Sequence, residues 1–292
     1  MQFIETEENW HAEIQAETNA GTQADTEDDQ NDWFSLRFDL PIFGNNPQGE
    51  EQQKVALLPL VSELLSRYQD QQLPEKLLLP LGEHRFIPIP RERIQPILDI
   101  LYELYDRESL DEGSLRLSRH DAVRLNELDQ RSASSLRWQG GEALRKLGEK
   151  LNNFKGIQPV KAPVGLNATL RNYQQEGLNW LQFLRDYQFG GILADDMGLG
   201  KTVQTLAHLL LEKEQGRMTK PCLIIAPTSL MGNWRREAAH FAPDLKVLVL
   251  HGTDRKAKFE QIDVHDVILT TYPLLLRDGE ILSKQAFHYL VL

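Results

Sequence analysis

The sequence predicts an α/β chain, and three observations predict it. Short apolar runs at Cys222–Ala226, Val247–Leu250, Val267–Leu269 and Tyr289–Leu292 are separated by polar or helical segments. They are nearly continuous rather than alternating, the pattern of strands covered on both faces of a parallel sheet. A glycine-containing turn, Ala194-Asp195-Asp196-Met197-Gly198-Leu199-Gly200-Lys201-Thr202, stands between an apolar strand signal at Gly191-Ile192-Leu193 and a helical pattern over Val203–Glu214. Residues 33–154 differ from all of this and read as a smaller mixed α+β region.

Taken in order, residues 1–32 hold ten acidic side chains and no Lys or Arg. Such a segment is expected to be a disordered, solvated tail. It accounts for nearly all of the net charge of −11, so the remaining chain is close to neutral. Phe34, Leu36, Phe38 and Leu40 alternate with polar neighbours and predict a strand. Leu60–Tyr68 reads as a short helix, and Lys76–Leu81 with Arg85–Ile89 as a hairpin around Gly82-Glu83-His84. Pro80, Pro88 and Pro90 restrict that hairpin to sheet edges. Ile94 to Tyr105 has helical spacing. Ser118 reads as the N-cap of a helix carrying Val123, Leu125 and Leu128, and Leu144, Leu147 and Leu151 mark another.

Residues 155–168, with two prolines and two glycines, are the expected linker. From 169 to 292 the pattern is that of one lobe of a RecA-like fold, incomplete at residue 292. Cys222 is the single cysteine and opens an apolar run, so it reads as a core residue. His84 and His120 lack partners at metal-ligand spacing. No apolar run approaches the ~20 residues of a membrane span, and the expected location is the cytoplasm.

The turn at 194–202 has the geometry of a phosphate cradle, because the N–H groups of a glycine turn and a first helical turn converge on one spot. Its first position is Asp195, where the usual pattern has glycine. Lys201 would reach the β- and γ-phosphates, and the Thr202 hydroxyl would hold a magnesium ion.

Further motifs lie in order around it: Leu170-Arg171-Asn172-Tyr173-Gln174-Gln175 before the turn, Pro227-Thr228-Ser229-Leu230 with Asn233-Trp234 after it, and Thr270-Thr271-Tyr272 later. With the phosphate turn, these make residues 165–292 resemble the first motor lobe of the Swi/Snf-type DNA translocases of the second helicase superfamily. Residues 33–154 resemble, more weakly, the accessory region preceding the motor in bacterial members. The resemblance implies ATP and Mg2+ as cofactors and double-stranded DNA as partner, with action on the nucleoid. It implies that Gln174 reads the adenine edge beside Arg171, that Asp195, Asp196, Met197, Gly198, Leu199 and Gly200 cradle the triphosphate, and that Lys201 and Thr202 serve catalysis. Thr228, Ser229 and Thr271 would contact DNA phosphate; strand-end turn chemistry explains the same residues equally well. Trp234 reads as a packing residue.

The family's next motif is acidic, supplying magnesium and water ligands, and a second lobe with an arginine finger follows; neither is within these 292 residues. The expectation is a fragment of a longer translocase that hydrolyses ATP only when complete. The other reading is a catalytically inactive nucleotide-binding or protein-interaction module organised around residues 33–154.

Overall fold

The computed structural model describes residues 2–3, 9–16, 33–43, 52–60, 74–81, 84–104, 110–111, 113–132 and 136–292. The chain forms two units, Met1–Lys155 and Gly156–Leu292.

The first unit contains β1 (Gln2–Phe3), β2 (Trp10–Ala16), β3 (Trp33–Phe43), β4 (Gln52–Ala56), β5 (Lys76–Pro80), β6 (Arg85–Pro90), α1 (Arg91–Leu104), β7 (Leu110–Asp111), β8 (Ser114–Ser118), α2 (Ala122–Arg131), β9 (Leu136–Gln139) and α3 (Glu142–Asn152). One sheet runs β7-β8-β3-β2-β9, with β4 also paired to β3. Phe34, Leu36, Phe38 and Leu40 are buried as their alternation requires. At the head of α2, the Ser118 backbone N–H and hydroxyl both donate to the Asp121 carboxylate, at 2.7 and 2.8 Å. Helix α3 buries Leu144 and Leu147.

Two expectations are corrected here. The acidic N-terminal segment is not wholly a tail. β2 lies inside the sheet, antiparallel to β3 and parallel to β9, with Trp10, Ala12 and Ile14 buried. The charges average over 32 residues, but His11, Glu13 and Gln15 alternate with those apolar residues and face outward. Residues 17–32 lie outside the described residues, as does most of the helix expected at Leu60–Tyr68. The β5–β6 hairpin is present, yet β6 stands between β5 and β1 rather than at an edge. It tolerates Pro88 and Pro90 because β1 reaches only Arg85 and Phe86, so these prolines face one neighbour.

The second unit contains α4 (Asn172–Tyr187), α5 (Lys201–Glu214), β10 (Cys222–Ile225), α6 (Met231–Phe241), β11 (Val247–Val249), β12 (Val267–Thr270), α7 (Tyr272–Leu282) and β13 (Leu290–Val291). Its sheet has the order β11-β12-β10-β13, and every pairing is parallel. Cys222, Ile224, Val267 and Leu269 pack with Leu206, Leu209, Leu210 and Ala238 of α5 and α6. Leu223, Ile225, Leu248 and Ile268 join Ile262 and Leu282 in a separate cluster. Both faces are therefore covered, in agreement with the fold class read from the sequence. Burial pushes the Cys222 thiol up to about 12, which suits a core residue.

The strand expected at Gly191-Ile192-Leu193 does not form. That stretch has no ladder partner among the described residues, and Ile192 is 86% exposed. An apolar segment becomes a strand only when a neighbour takes its N–H and C=O groups.

Residues 156–171, expected largely as linker, instead form a strap held to three helices of the second unit. Val160 N–H donates to the Asn179 side chain at 3.0 Å, and Gln175 donates back to the Val160 carbonyl at 2.9 Å. The Glu214 carboxylate accepts the N–H groups of Val164 and Gly165 at 2.9 and 2.7 Å. Asn167 N–H donates to the Phe241 carbonyl at 2.8 Å, and Leu166 is buried in the core. No helix among the described residues is long and apolar enough to cross a membrane.

Candidate functional site

The site is built where the glycine turn enters α5. Gly198 and Gly200 have φ of +86° and +79°, so the loop takes a left-handed path that other residues adopt at a cost. The first bond of α5 runs from Gln204 N–H to the Gly200 carbonyl at 3.1 Å. The N–H groups of Lys201, Thr202 and Val203 precede that bond and are free of intrahelical partners. A Cβ at Gly198 would meet nothing within 4 Å, so the cradle opens to solvent there. These features fit a phosphate group bound at the positive end of a helix.

Side chains brace the loop from behind. The Lys201 ammonium donates to the carbonyls of Asp195 and Asp196, at 2.5 and 3.0 Å. The Asp195 carboxylate accepts from Gln204 Nε2 at 2.8 Å, and Gln204 is fully buried. Leu199 offers its carbonyl to two residues of α4: Tyr173 Oη at 3.2 Å and Gln174 Nε2 at 3.1 Å. Gln174 Oε1 accepts the Arg171 N–H at 3.0 Å, which closes the first turn of α4. Asp196 and Met197 are exposed at the loop tip. Gln174 Oε1 and Nε2 thus each make one hydrogen bond within the protein, and each keeps a second lone pair or N–H. The backbone supplies both partners.

A cavity of about 790 Å³ opens beside the loop. Its walls include Arg171, Tyr173, Gln174, Met197, Gly198 and Gly200 to Thr202; Asp195, Asp196 and Leu199, also expected at the phosphates, do not line it. The opposite wall is α6, through Asn233, Arg236, Glu237, His240 and Phe241. The sequence reading missed these five. The available signal was their spacing, which sets them on one face of a helix.

The remaining candidates lie at the C-terminal ends of the strands. β10 and β12 are paired at Ile225↔Thr270, so Thr228, Ser229 and Thr271 leave the same end of the sheet. Thr228 and Ser229 form an exposed 3-10 turn. Thr271 is a correction: it is only 1% exposed, and its carbonyl accepts the N–H groups of Leu274 and Leu275 at 3.0 Å each. Capping the first turn of α7 buries it, which removes its hydroxyl from the surface. Trp234 packs against the core cluster, as expected. No group of three His, Cys, Asp or Glu side chains positioned for a metal exists among the described residues.

A buried polar network lies at the other end of α5. Glu212 is fully buried. It accepts from Gln182 Nε2 at 2.8 Å, from Arg217 Nε at 3.0 Å and from His288 Nε2 at 3.4 Å. Burial alone would raise its pKa, but the hydrogen bonds from His288, Arg217 and Gln182 overcome this and hold it well below the usual carboxylate range. His208 accepts from the same Gln182 amide at 2.9 Å, and burial lowers its pKa to about 4 against the opposing pull of Glu212.

Residues 173–292 match the SNF2-related domain. The putative ATP-dependent helicase/translocase YwqA of Bacillus subtilis is 40% identical over 194 residues, covering 65% of this chain and 20% of the relative. The TATA-binding protein-associated factor MOT1 of Saccharomyces cerevisiae is 43% identical over 148 residues, 46% of this chain and 8% of that protein. The solved SWI2/SNF2 ATPase core of Sulfolobus solfataricus in complex with dsDNA is 39% identical, covering 46% of this chain and 27% of that one, with a TM-score of 0.42. The chain thus spans a fifth or less of the length of these two curated relatives. Over residues 173–292 the chain is therefore similar to the SNF2-related domain.

Proposed function

We propose that this chain provides the ATP-binding part of an ATP-dependent motor that moves along duplex DNA. The observation that carries the reading is the cradle itself: free N–H groups at the head of α5, a lysine at its rim, and an adjoining cavity of nucleotide size. The Lys201 ammonium would leave the Asp195 and Asp196 carbonyls for the phosphates, a stronger charge-assisted partner. Thr202 would hold magnesium, whose charge would offset that of the phosphates when bound. Thr228 and Ser229, exposed beyond the end of β10, would contact a DNA phosphate through hydroxyl and backbone groups.

The test is equilibrium binding of ATP with magnesium to the chain and to Lys201→Ala. We expect binding by the parent and a loss of at least tenfold in the variant. Undiminished binding by Lys201→Ala would overturn the cradle assignment. For the DNA arm, Thr228→Ala with Ser229→Ala should weaken binding to duplex DNA, and an unchanged affinity would move the contact elsewhere.

A further inference from the structure

The chain carries a net charge of −11, yet one face of the large sheet in the first unit turns cations toward solvent. β3 packs Phe34, Leu36, Phe38 and Leu40 into the core, so Trp33, Ser35, Arg37 and Asp39 point the other way. The strand register fixes their neighbours on this outer face. Arg116 of β8 and Gln15 of β2 flank Ser35. Glu13 stands between Arg37 and Gln139 of β9, and His11 between Asp39 and Arg137. Across β8, β3, β2 and β9, the outer residues that are exposed are Trp33, Arg37, Arg116, Arg137, Gln15 and Gln139. No carboxylate is among them.

The two carboxylates of this face lie deeper. Asp39 is buried and accepts from Arg37 Nε at 2.9 Å, while the Arg37 side chain stays 48% exposed. A guanidinium has five donors, so this bond orients Arg37 without exhausting it. Glu13 is half-buried and accepts from Gln15 Nε2 at 2.8 Å. The three arginines fall on a diagonal across the strands. With strands about 4.8 Å apart and a rise of about 3.4 Å per residue, Arg116 and Arg37 stand about 8 Å apart, and Arg37 and Arg137 about 12 Å. At the Arg116 end the guanidinium lies over the Trp33 ring, 4.2 Å from its centroid, and Trp33 is 46% exposed.

We propose that this face binds single-stranded nucleic acid: the Arg116–Trp33 stack is the platform for a base, and Arg37 and Arg137 take backbone phosphates further along the strand. Indole and guanidinium planes hold a base by stacking only when that base is out of a duplex. Arginine suits phosphate because its donors form a fork that matches the phosphate oxygens. The Gln15 and Gln139 amides offer both donors and acceptors to base edges. Binding needs a local cationic surface, so the acidity of the whole chain does not oppose it. The proposal uses residues of the first unit alone and does not rest on the phosphate-loop reading.

The test is fluorescence anisotropy with the full chain and two labelled probes: a short oligothymidylate, and heparin, a polyanion without bases. The parent should bind the oligonucleotide. Trp33→Ala should weaken it about tenfold with the salt dependence unchanged, and should leave heparin unaffected. Trp33→Phe should retain the affinity. Arg137→Ala should weaken both probes and reduce the slope of log affinity against log salt for the oligonucleotide by about 0.7. Trp33 and Arg137 are exposed, so thermal unfolding of these variants should match the parent. Lys146→Ala, on α3, is the control expected to bind as the parent does. If Trp33→Ala leaves oligonucleotide affinity unchanged, or lowers both probes alike, the face is not a nucleic-acid site. The same follows if the parent does not bind the oligonucleotide. If Thr228→Ala with Ser229→Ala abolishes that binding while Trp33→Ala does not, the strand is held by the second unit and the proposal falls. None of these outcomes bears on ATP binding by Lys201→Ala, so the phosphate-loop reading stands or falls separately.

Discussion

The side-chain amide of Gln174 donates to the carbonyl of Leu199 at 3.1 Å, tying the first turn of α4 to the phosphate loop where it enters α5. Tyr173 reaches the same carbonyl at 3.2 Å. Together they hold the peptide that precedes Gly200, the residue whose φ of +79° starts α5. Gln174 is therefore a strut for the cradle. Gln174→Ala should weaken tripolyphosphate as well as ATP, each by several-fold. A shift in preference between ATP and GTP with tripolyphosphate unaffected would return Gln174 to base reading.

Lys201→Ala removes a charge and two hydrogen bonds to loop carbonyls, but no core contact. In a protein with DNA-dependent ATPase activity containing this chain, the variant should lose that activity by orders of magnitude. Its thermal unfolding should stay within a few degrees of the parent. Robust DNA-stimulated phosphate release by the variant would contradict the assignment.

Gly177 lies on α4 against the buried Gln204, and a Cβ there would collide with Gln204 Oε1. Helix propensity favours alanine over glycine by about 1 kcal/mol, yet the collision should win, giving a net destabilisation of about 1–3 kcal/mol. Gln204 also holds Asp195, so Gly177→Ala should weaken ATP binding too. Gln204→Ala in the same chain should recover much of the stability. A Gly177→Ala protein as stable as the parent would show that Gln204 yields easily.

Acid should destabilise the second unit before its carboxylates titrate. His208 is neutral in the fold because burial disfavours its charged form; its pKa falls from 6.5 to about 4. The unfolded chain takes up that proton first. Stability from this group is complete above pH 6.5 and declines as pH falls toward 4, by about 3 kcal/mol at most. Glu212 acts in the same sense at still lower pH, because its folded pKa is depressed. Denaturant unfolding at pH 7 and pH 4.5, compared with His208→Gln, is the measurement. A variant as pH-sensitive as the parent over this range would remove His208 from the explanation.

The N-terminal strand makes a prediction opposite to its composition. Ile14 is 3% exposed within β2, between β3 and β9. Ile14→Asp buries an unpaired carboxylate and should cost several kcal/mol. Deleting residues 1–30 should lower the thermal midpoint of the first unit by more than a few degrees. An unchanged midpoint would mean the sheet closes without β2.

What the sequence revealed depended on the kind of signal. The parallel strands were legible because burial on both faces writes continuous apolar runs, and Cys222–Ile225 and Val267–Thr270 are buried throughout. The phosphate loop was legible because its glycines and lysine are local in sequence. β2 was obscured because a charge count overrides an alternation only seven residues long. Thr271 was misplaced because a strand-end threonine reads alike as a cap or a surface contact. The α6 wall and the strap were hidden for another reason. Their roles depend on partners distant in sequence, as Asn167 with Phe241 and Gly165 with Glu214 show, and no local pattern encodes those pairings.

The strap also shows that similarity and self-sufficiency have different borders. The family match begins at residue 173, one residue into α4. A polypeptide started there would lack Leu166 from its core and would leave Glu214, Asn179 and the end of α6 without the N–H groups they accept, and Gln175 without the Val160 carbonyl. The smallest piece able to fold as this lobe is set by where its hydrogen bonds close, and that lies upstream of Val160. Each anchor removed from the strap would loosen a helix that frames the cavity.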